Sequence, residues 1–162
     1  MRPAVYFPIP GAQRTVFVPG YLKEGEPVYF TQAEYEKIHL NLDQFLTKSH
    51  ANSSDKKVTA RFIRNTSNQT IEYAVLQSES PLMATAVLAP DFADKFKSLL
   101  GEKLIVAIPN RNMVFVFPAN KSDFHQYAEP VLEAYRGSPH PVSVEAFELT
   151  SHGLQSIGSF EE

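Results

Sequence analysis

The sequence predicts an α+β fold, with a mostly antiparallel sheet and three helices in a single domain over residues 1–162. β-rich runs occur in neighbouring pairs separated by turn residues, which indicates hairpins and not alternating βαβ units. Three stretches carry apolar residues at helical spacing. Apolar residues make up 43% of the chain and charged residues 20%, the balance of a chain that buries one core.

The composition narrows the classes of partner and cofactor. A chain without cysteine forms no disulfide, thiolate metal site or cysteine nucleophile, and we expect it in the cytoplasm, a reducing compartment. Its formal charge of −3 gives no overall attraction to nucleic acid, so a nucleic-acid partner is not expected. Prolines interrupt the first ten residues and no apolar run reaches ~18 residues, so we expect neither a signal peptide nor a membrane partner. Glycine-rich phosphate loops are not found either, and no cofactor is predicted.

The N-terminal third predicts three short strands and then a helix. Thr31 and Glu34 have the spacing of a capping box, which marks the start of a helix over residues 32–47. Its apolar face consists of Tyr35, Ile38, Leu42, Phe45 and Leu46. The strands lie at residues 4–7, 15–18 and 27–30, and the proline and glycine turns that separate them lie at 8–11 and 20–25.

The middle of the chain predicts a hairpin, a further strand and a second helix. The hairpin joins residues 58–64 to 70–76 through a polar loop, and residues 82–88 form the further strand. Asp91 caps the helix, and Gly101 is placed to end it in the left-handed conformation. The apolar face of this helix consists of Phe92, Phe96, Leu99 and Leu100.

The C-terminal third predicts the centre of the sheet. Residues 104–108 and 113–117 are continuously apolar, as strands covered on both faces must be, so they form the central hairpin. Ser122 caps a third helix, in which Pro130 introduces a kink or a break. The side chains along one side of that helix are Phe124, Ala128, Val131 and Tyr135. A last hairpin joins residues 146–150 to 154–157.

Two segments carry family resemblances. The run GEKLIVAIPNRNMVFVFP over residues 101–118, followed by a helix, by PHPVS at 139–143, by Phe147 and by Gly153, resembles the C-terminal part of the bacterial YtpQ-like family, a domain of unknown function. That family usually has an Arg-Asp pair where this chain has Arg111-Asn112. The run GEPVYFTQAE over residues 25–34 is similar to the strand-to-helix entry of SseB-like domains. Neither resemblance supplies catalytic residues.

Three clusters of polar residues are candidate sites. Asn110, Arg111 and Asn112 at the tip of the central hairpin form either an anchor for a carboxylate or phosphate or simply a polar turn. The four-residue spacing of His125, Glu129 and Glu133 suits a divalent cation or an acid and base pair, but it is also that of a solvated helix face. The basic cluster around Phe62 is either a single-strand nucleic-acid platform or an edge strand protected by charge, and consists of Lys56, Lys57, Arg61 and Arg64.

The function expected from this sequence is that of a binding or adaptor domain without catalytic chemistry. The alternative is a small hydrolase or metal-dependent enzyme that uses His125, Glu129 and Glu133. A protein partner or a second copy of the chain would bind at residues 4–22, where we expect an edge strand with Tyr6, Phe17 and Tyr21 as anchors. In the competing interpretation these aromatic side chains cover one end of the core.

Overall fold

The structure is a computed structural model that describes residues 5–38, 58–80, 83–89, 91–119, 123–151 and 153–161. The helices within these ranges are α1 (Gln32–Ile38), α2 (Asp94–Leu100) and α3 (Ala128–Arg136), and short 3₁₀ helices cover Met83–Leu88 and Phe124–Tyr127. The strands are β1 (Phe7–Pro8), β2 (Val16–Phe17), β3 (Gly20–Lys23), β4 (Glu26–Tyr29), β5 (Thr59–Arg64), β6 (Ile71–Gln77), β7 (Leu104–Asn110), β8 (Met113–Pro118), β9 (Glu145–Thr150) and β10 (Gly153–Ser159). No helix in these ranges is both long enough and apolar enough to span a bilayer.

The main sheet has six strands in the order β10-β9-β7-β8-β6-β5, and every neighbouring pair is antiparallel. Strands β1 and β2 form a separate two-stranded sheet, and β3 and β4 form another. The predicted fold class is therefore confirmed. The predicted single domain over residues 1–162 stays a prediction.

The central hairpin is confirmed, and it is covered on both faces because its apolar residues alternate between two cores. On β7, Leu104, Val106 and Ile108 contribute to one core, while Ile105 and Ala107 contribute to the other. The first core packs beneath α2 and the 3₁₀ helix Met83–Leu88, and the second beneath α3. We call the two sides of the sheet the α2 face and the α3 face.

The two outer hairpins are also confirmed. Strands β5 and β6 are joined by the polar loop, in which the Asn65 side chain accepts a hydrogen bond from Ser67 N at 2.8 Å. Strands β9 and β10 pair from Thr150 and Gly153 at the turn to Glu145 and Ser159 at the far end. Both connections have the turn chemistry that polar residues and glycine supply.

The segment over residues 83–88 corrects one prediction, since it forms a 3₁₀ helix and not a strand. A short apolar run has no periodicity that separates a buried strand from a buried helical turn. Its two buried side chains, Met83 and Val87, are four residues apart, which is helical spacing. Residue 82, where the predicted strand begins, lies outside the described residues.

The N-terminal region confirms one prediction and corrects another. The capping box is present, because Thr31 N donates to Glu34 Oε2 at 2.8 Å and Glu34 N donates to Thr31 Oγ1 at 3.2 Å. Helix α1 is described to Ile38, and residues 39–47 of the predicted helix lie outside the described residues. The predicted turn over residues 20–25 is instead strand β3 and a tight turn, in which Glu24 and Gly25 have φ of 53° and 83°. Positive φ at both central residues is the condition for a type I′ hairpin turn.

Helix α2 begins three residues later than Asp91, the predicted cap. Its N-cap is Ala93, which has no side-chain capping bond, and Asp91 instead lies 3.9 Å from Lys95 as a surface ion pair. The predicted face is right for Phe92, Phe96 and Leu100 but wrong for Leu99, which is 45% exposed. Gly101 ends the helix at a positive φ of 104°, although its ψ of 174° lies outside the left-handed helical region that was predicted.

The third helical segment is divided between Tyr127 and Ala128. The prediction of a kink or a break at Pro130 is therefore wrong in its position. Asp123 caps the 3₁₀ helix Phe124–Tyr127 by accepting from His125 N at 2.9 Å, and α3 begins at Ala128. Pro130 therefore lies in the first turn of α3, where a backbone N–H has no intrahelical partner in any case and proline is tolerated. The predicted cap, Ser122, lies outside the described residues.

Candidate functional site

Among the described residues, the most exposed aromatic side chain, Tyr29, lies on the hairpin formed by β3 and β4, which we call the tyrosine hairpin (residues 20–29). Gly20 is opposite Tyr29 and Tyr21 is opposite Val28. A Cβ atom at Gly20 would lie 2.6 Å from the Val28 carbonyl oxygen, so only glycine allows the two strands to approach this closely. Opposed residues share a face, so Tyr21 and Tyr29 project from opposite faces of the hairpin.

Both tyrosines are accessible. Tyr29 is 61% exposed and Tyr21 is 39% exposed. The Tyr21 ring lies 5.2 Å from the Phe30 ring, which supports it from one side. A tyrosine in this position offers a large contact area with only two side-chain torsions to fix, which is why tyrosine is enriched in protein interfaces. The surface is therefore suited to contacts with another protein.

Arg111 ties the tyrosine hairpin to the main sheet. Its Nη1 atom lies 3.2 Å from Glu26 Oε2, and the backbone of Arg111 is held from two further sides, by His140 O at 3.2 Å and by Ala84 N at 3.3 Å. The Nε atom of Arg111 is buried without a hydrogen-bond partner among the described residues. The carboxylate that the Arg111 guanidinium contacts is therefore Glu26 of its own chain. This contact supports the tyrosine hairpin, since an isolated two-stranded hairpin is only marginally stable.

The two asparagines beside Arg111 are engaged by the backbone. Asn112 Nδ2 donates to three carbonyl oxygens, Ser78 O at 3.0 Å and those of Glu79 and Ser80 at 3.2 Å. Asn110 Nδ2 donates to a carbonyl of α3 at 3.2 Å, and its Oδ1 accepts from Asn112 N at 3.0 Å. Their amide groups fix the central turn against its neighbours. Whether the three residues also bind an anion stays a prediction.

The predicted anchors in residues 4–22 are separated by the structure. Tyr6 and Tyr21 are exposed, whereas Phe17 is half-buried against the core of the α2 face. In the described part of this segment, residues 5–22, the strands belong to the two small sheets, in which every strand is an edge strand, and not to the six-stranded sheet, whose edges are β5 and β10. Whether Tyr6, Phe17 and Tyr21 anchor a partner stays a prediction.

The candidate metal ligands on the third helical segment do not gather around a common point. His125 Nδ1 lies 2.7 Å from Asp123 Oδ1, the His125 ring stacks on Phe124 at 4.3 Å, and Nε2 is buried without a partner in the described part of the chain. Glu129 and Glu133 are exposed on α3. Hydrogen bonds from the backbone and then the side chain of His125 lower the pKa of Asp123. Among the described residues no three histidine, aspartate or glutamate side chains are grouped to hold a metal ion.

A buried carboxylate, Glu145, was missed by the sequence reasoning. It begins β9 and accepts hydrogen bonds from Gln13 N at 2.8 Å and from the Thr15 hydroxyl at 2.5 Å. A carboxylate only accepts, so the Thr15 hydroxyl donates to it, and the Ser143 hydroxyl in turn donates to Thr15 at 2.7 Å. Glu145 N donates to Ser143 Oγ at 3.1 Å, which closes the ring of bonds. The sequence did contain one signal for this site, because Glu145 is an acidic residue that directly precedes the predicted strand over residues 146–150.

Glu145 also lines an open cleft of about 520 Å³. The cleft lies between the N-terminal segment and β10, and its polar lining includes Gln13, Arg14, Ser156, Ser159 and Glu161. Arg14 Nη1 and Glu161 Oε2 form a surface ion pair at 3.2 Å. Because the acceptor oxygens of Glu145 are taken by its own chain, this carboxylate holds the N-terminal segment on the sheet.

Comparison with known proteins identifies no relative from which a role could be transferred. The chain matches no family model, no curated protein and no solved structure. The resemblances to YtpQ-like and SseB-like domains therefore remain predictions.

Proposed function

We propose that this chain is a non-catalytic protein-binding domain whose binding surface is the tyrosine hairpin. The observation that carries the proposal is the 61% exposure of Tyr29 on a hairpin that contacts the main sheet through the ion pair of Glu26 with Arg111. Large aromatic side chains dominate binding energy when a partner desolvates them. A bacterial, cytoplasmic setting belongs to the same proposal and is supported by the cysteine-free composition and by the resemblance over residues 101–153.

The mechanism is recognition by a pre-organised surface. The type I′ turn and the close strand approach at Gly20 fix the hairpin backbone, and the Phe30 ring restrains Tyr21. Side chains that are already ordered lose less conformational entropy when they bind. The partner would therefore pack against Tyr21 or Tyr29 without remodelling the hairpin.

The enzyme alternative is supported less well by the geometry. A metal-dependent hydrolase built on His125, Glu129 and Glu133 needs a histidine nitrogen free to bind a metal or take a proton. In this structure Nδ1 of His125 is bonded to Asp123 and Nε2 is buried. A binding role requires only the exposed side chains that are present.

The test of this proposal compares two exposed apolar positions. A photo-cross-linking residue at position 29 is expected to capture a specific protein in cells, and the same residue at Leu99, which is exposed on α2, is the matched control. The captured protein is then purified and its affinity measured. Tyr21→Ser/Tyr29→Ser should weaken binding by about thirtyfold or more, since the loss of an aromatic anchor costs about 2 kcal/mol or more.

Leu99→Ser controls for a general loss of apolar surface and should leave the affinity unchanged. Circular dichroism verifies that both variants are folded. Equal binding by wild type and the double tyrosine variant would remove the tyrosine hairpin as the binding surface. A stoichiometric metal that raises the melting temperature of wild type but not of His125→Ala would favour the enzyme alternative.

A further inference from the structure

Strand β5 is the last strand at one edge of the main sheet, and in the described part of the chain this edge is open. Its residues pair with β6, and no residue in the described ranges pairs with its other side. All but Ile63 of its six residues are exposed, as is Val58 just before it. An edge strand presents a row of unpaired N–H and C=O groups, which is a template for a further strand.

The exposed side chains of this strand form an apolar stripe on the α2 face of the sheet. Ala60 is opposite Leu76 and Phe62 is opposite Ala74, and both partners on β6 belong to the core of the α2 face. Side chains alternate along a strand, so Val58 lies on the same face. We call Val58, Ala60 and Phe62 the edge stripe. Val58 is 49% exposed and Phe62 is 37% exposed.

The edge stripe is complementary to itself. In an antiparallel pairing centred on Ala60, Val58 is opposite the partner's Phe62, Ala60 is opposite the partner's Ala60, and Phe62 is opposite the partner's Val58. Every exposed apolar side chain then meets another, which is the arrangement that stabilises cross-strand pairs. On the α3 face the same register places Thr59 opposite the partner's Arg61.

Other symmetric registers are less favourable. A pairing centred on Arg61 places two guanidinium groups directly opposite each other, which is destabilising. A pairing centred on Phe62 places Ala60 opposite the partner's Arg64 and leaves Val58 unpaired. The bulge between Ile63 and Arg64 also interrupts a flat ladder at that end.

The opposite edge of the sheet is covered at its middle by the N-terminal segment, and we call it the closed edge. Ser156 N on β10 donates to Pro10 O at 2.8 Å, and a bulge lies between Ser156 and Gly158. Gly11 packs so closely that a Cβ atom there would lie 2.6 Å from Ser156 O. Between the two edges of the main sheet, strand addition between copies is therefore favoured at β5 with β5, which gives a closed two-fold dimer and no open chain of molecules.

We propose that two copies of this chain associate through antiparallel pairing of β5, centred on Ala60, so that two six-stranded sheets become continuous. The contact covers residues 58–62 of each copy, which is small compared with stable dimer interfaces, so the dimer is weak and depends on concentration. Arg61 and the partner's Arg61 are diagonal neighbours about 7–8 Å apart on the α3 face. Their repulsion is screened by salt, so dimerisation strengthens as ionic strength rises.

The decisive experiment uses the absence of cysteine from the natural chain. Directly opposed residues have Cα atoms about 4.5–5.5 Å apart, which is within the range of a disulfide, about 4.4–6.8 Å. Under mild oxidation Ala60→Cys should therefore form a covalent dimer rapidly. Thr59→Cys and Arg61→Cys meet their own copies only diagonally and should react slowly, as should Leu99→Cys on helix α2, which takes no part in the proposed strand pairing.

Sedimentation of the cysteine-free protein provides the second measurement. The dimer fraction should rise between about 0.01 M and 1 M salt, over which the Debye length falls from about 30 Å to 3 Å. Arg61→Ser should strengthen dimerisation at low salt, and Phe62→Lys should abolish it while the melting transition remains cooperative. Fastest cross-linking at Arg61→Cys or Phe62→Cys would overturn the Ala60 register. A monomer at every salt concentration, with Ala60→Cys no faster than Leu99→Cys, would overturn the dimer.

Discussion

The two edges of the main sheet differ, although each belongs to a hairpin in the same sheet. At β10 the N-terminal segment supplies Pro10 O to Ser156 N, and a bulge twists the strand. At β5 the described chain supplies no such partner. An unprotected edge strand can pair with another chain, and proteins prevent this by covering the edge, by a bulge or by charged side chains. One edge is covered and bulged, while the other, in the described part of the chain, has the charges of Arg61 and Arg64 and a bulge at one end between Ile63 and Arg64.

The difference indicates where this molecule can accept another strand. Closure of the β10 edge depends on contacts between distant parts of the chain, since Glu145 on β9 holds the backbone of Gln13 and the hydroxyl of Thr15. The β5 edge is formed by a local hairpin and needs no such connection. An edge with exposed apolar residues and weak charge protection is suited to reversible pairing, while the covered edge contributes to stability.

The largest expected effect is the difference in stability between an aspartate at the centre of the sheet and an aspartate at its open edge. Val106 on β7 is fully buried, so Val106→Asp places an unpaired charge in the core at a cost of several kcal/mol, comparable to the total stability. Phe62→Asp makes the same chemical change on β5 and should cost about 1 kcal/mol or less, because its side chain reaches water. Thermal denaturation compares the two. A folded, cooperative Val106→Asp protein would contradict the central position of β7.

A smaller effect is expected at the closed edge. Glu145→Ala leaves the Gln13 amide and the Thr15 hydroxyl without their buried acceptor, and each unpaired group costs about 1–3 kcal/mol. The free energy of unfolding should fall by about 3 kcal/mol, and the Ser156 amide should lose protection from hydrogen exchange as the N-terminal segment loosens.

Glu161→Ala is the matched control for that variant, since it removes a surface carboxylate that forms an ion pair with Arg14 at the same cleft. An exposed ion pair of this kind contributes less than about 1 kcal/mol. If Glu145→Ala and Glu161→Ala were equally stable in chemical denaturation, the ring of bonds around Glu145 would not close this edge.

The sequence predicted the parts of the fold that local patterns specify. The continuously apolar runs around Val106 and Phe115 identified the central hairpin, and the Thr31 and Glu34 spacing identified the start of α1. Both signals lie within a few residues of the structure that they predict. The open edge was also indicated locally, since charges interleave with apolar residues along β5.

The features that the sequence did not predict depend on distant contacts. The ring of bonds around Glu145 joins residues more than a hundred positions apart, so no local spacing reveals it. The tyrosine hairpin was missed because Gly20 was taken for a turn residue, when its role is to let the Val28 carbonyl approach closely. The anchor of that hairpin, the pair between Arg111 and Glu26, is equally long-range.

The smallest expected effect concerns two tyrosines on the α3 face, beside the open edge. Tyr73 on β6 is opposite Ile63 of β5, and its ring lies 5.6 Å from that of Tyr127. Burial, and then the charge of Glu72, raise the pKa of both tyrosines above the ordinary value of 10.0. For Tyr73 the positive charge of Arg61, from the open edge strand, partly offsets this rise.

These raised pKa values predict that stability falls in alkali. Above pH 10 the unfolded chain releases its tyrosine protons more readily than the folded chain, so the unfolded state binds fewer protons and the free energy of unfolding decreases as pH rises. Below pH 10 both tyrosines are protonated in either state and their contribution is constant. Tyr73→Phe/Tyr127→Phe should therefore lose less stability between pH 9 and 12 than wild type, as measured by urea denaturation. An alkaline loss of stability that is the same in wild type and in the double phenylalanine variant would show that these tyrosines do not titrate with unfolding.

At neutral pH Tyr127→Phe should be as stable as wild type or more stable by about 1 kcal/mol, because it removes a buried hydroxyl that has no hydrogen-bond partner among the described residues.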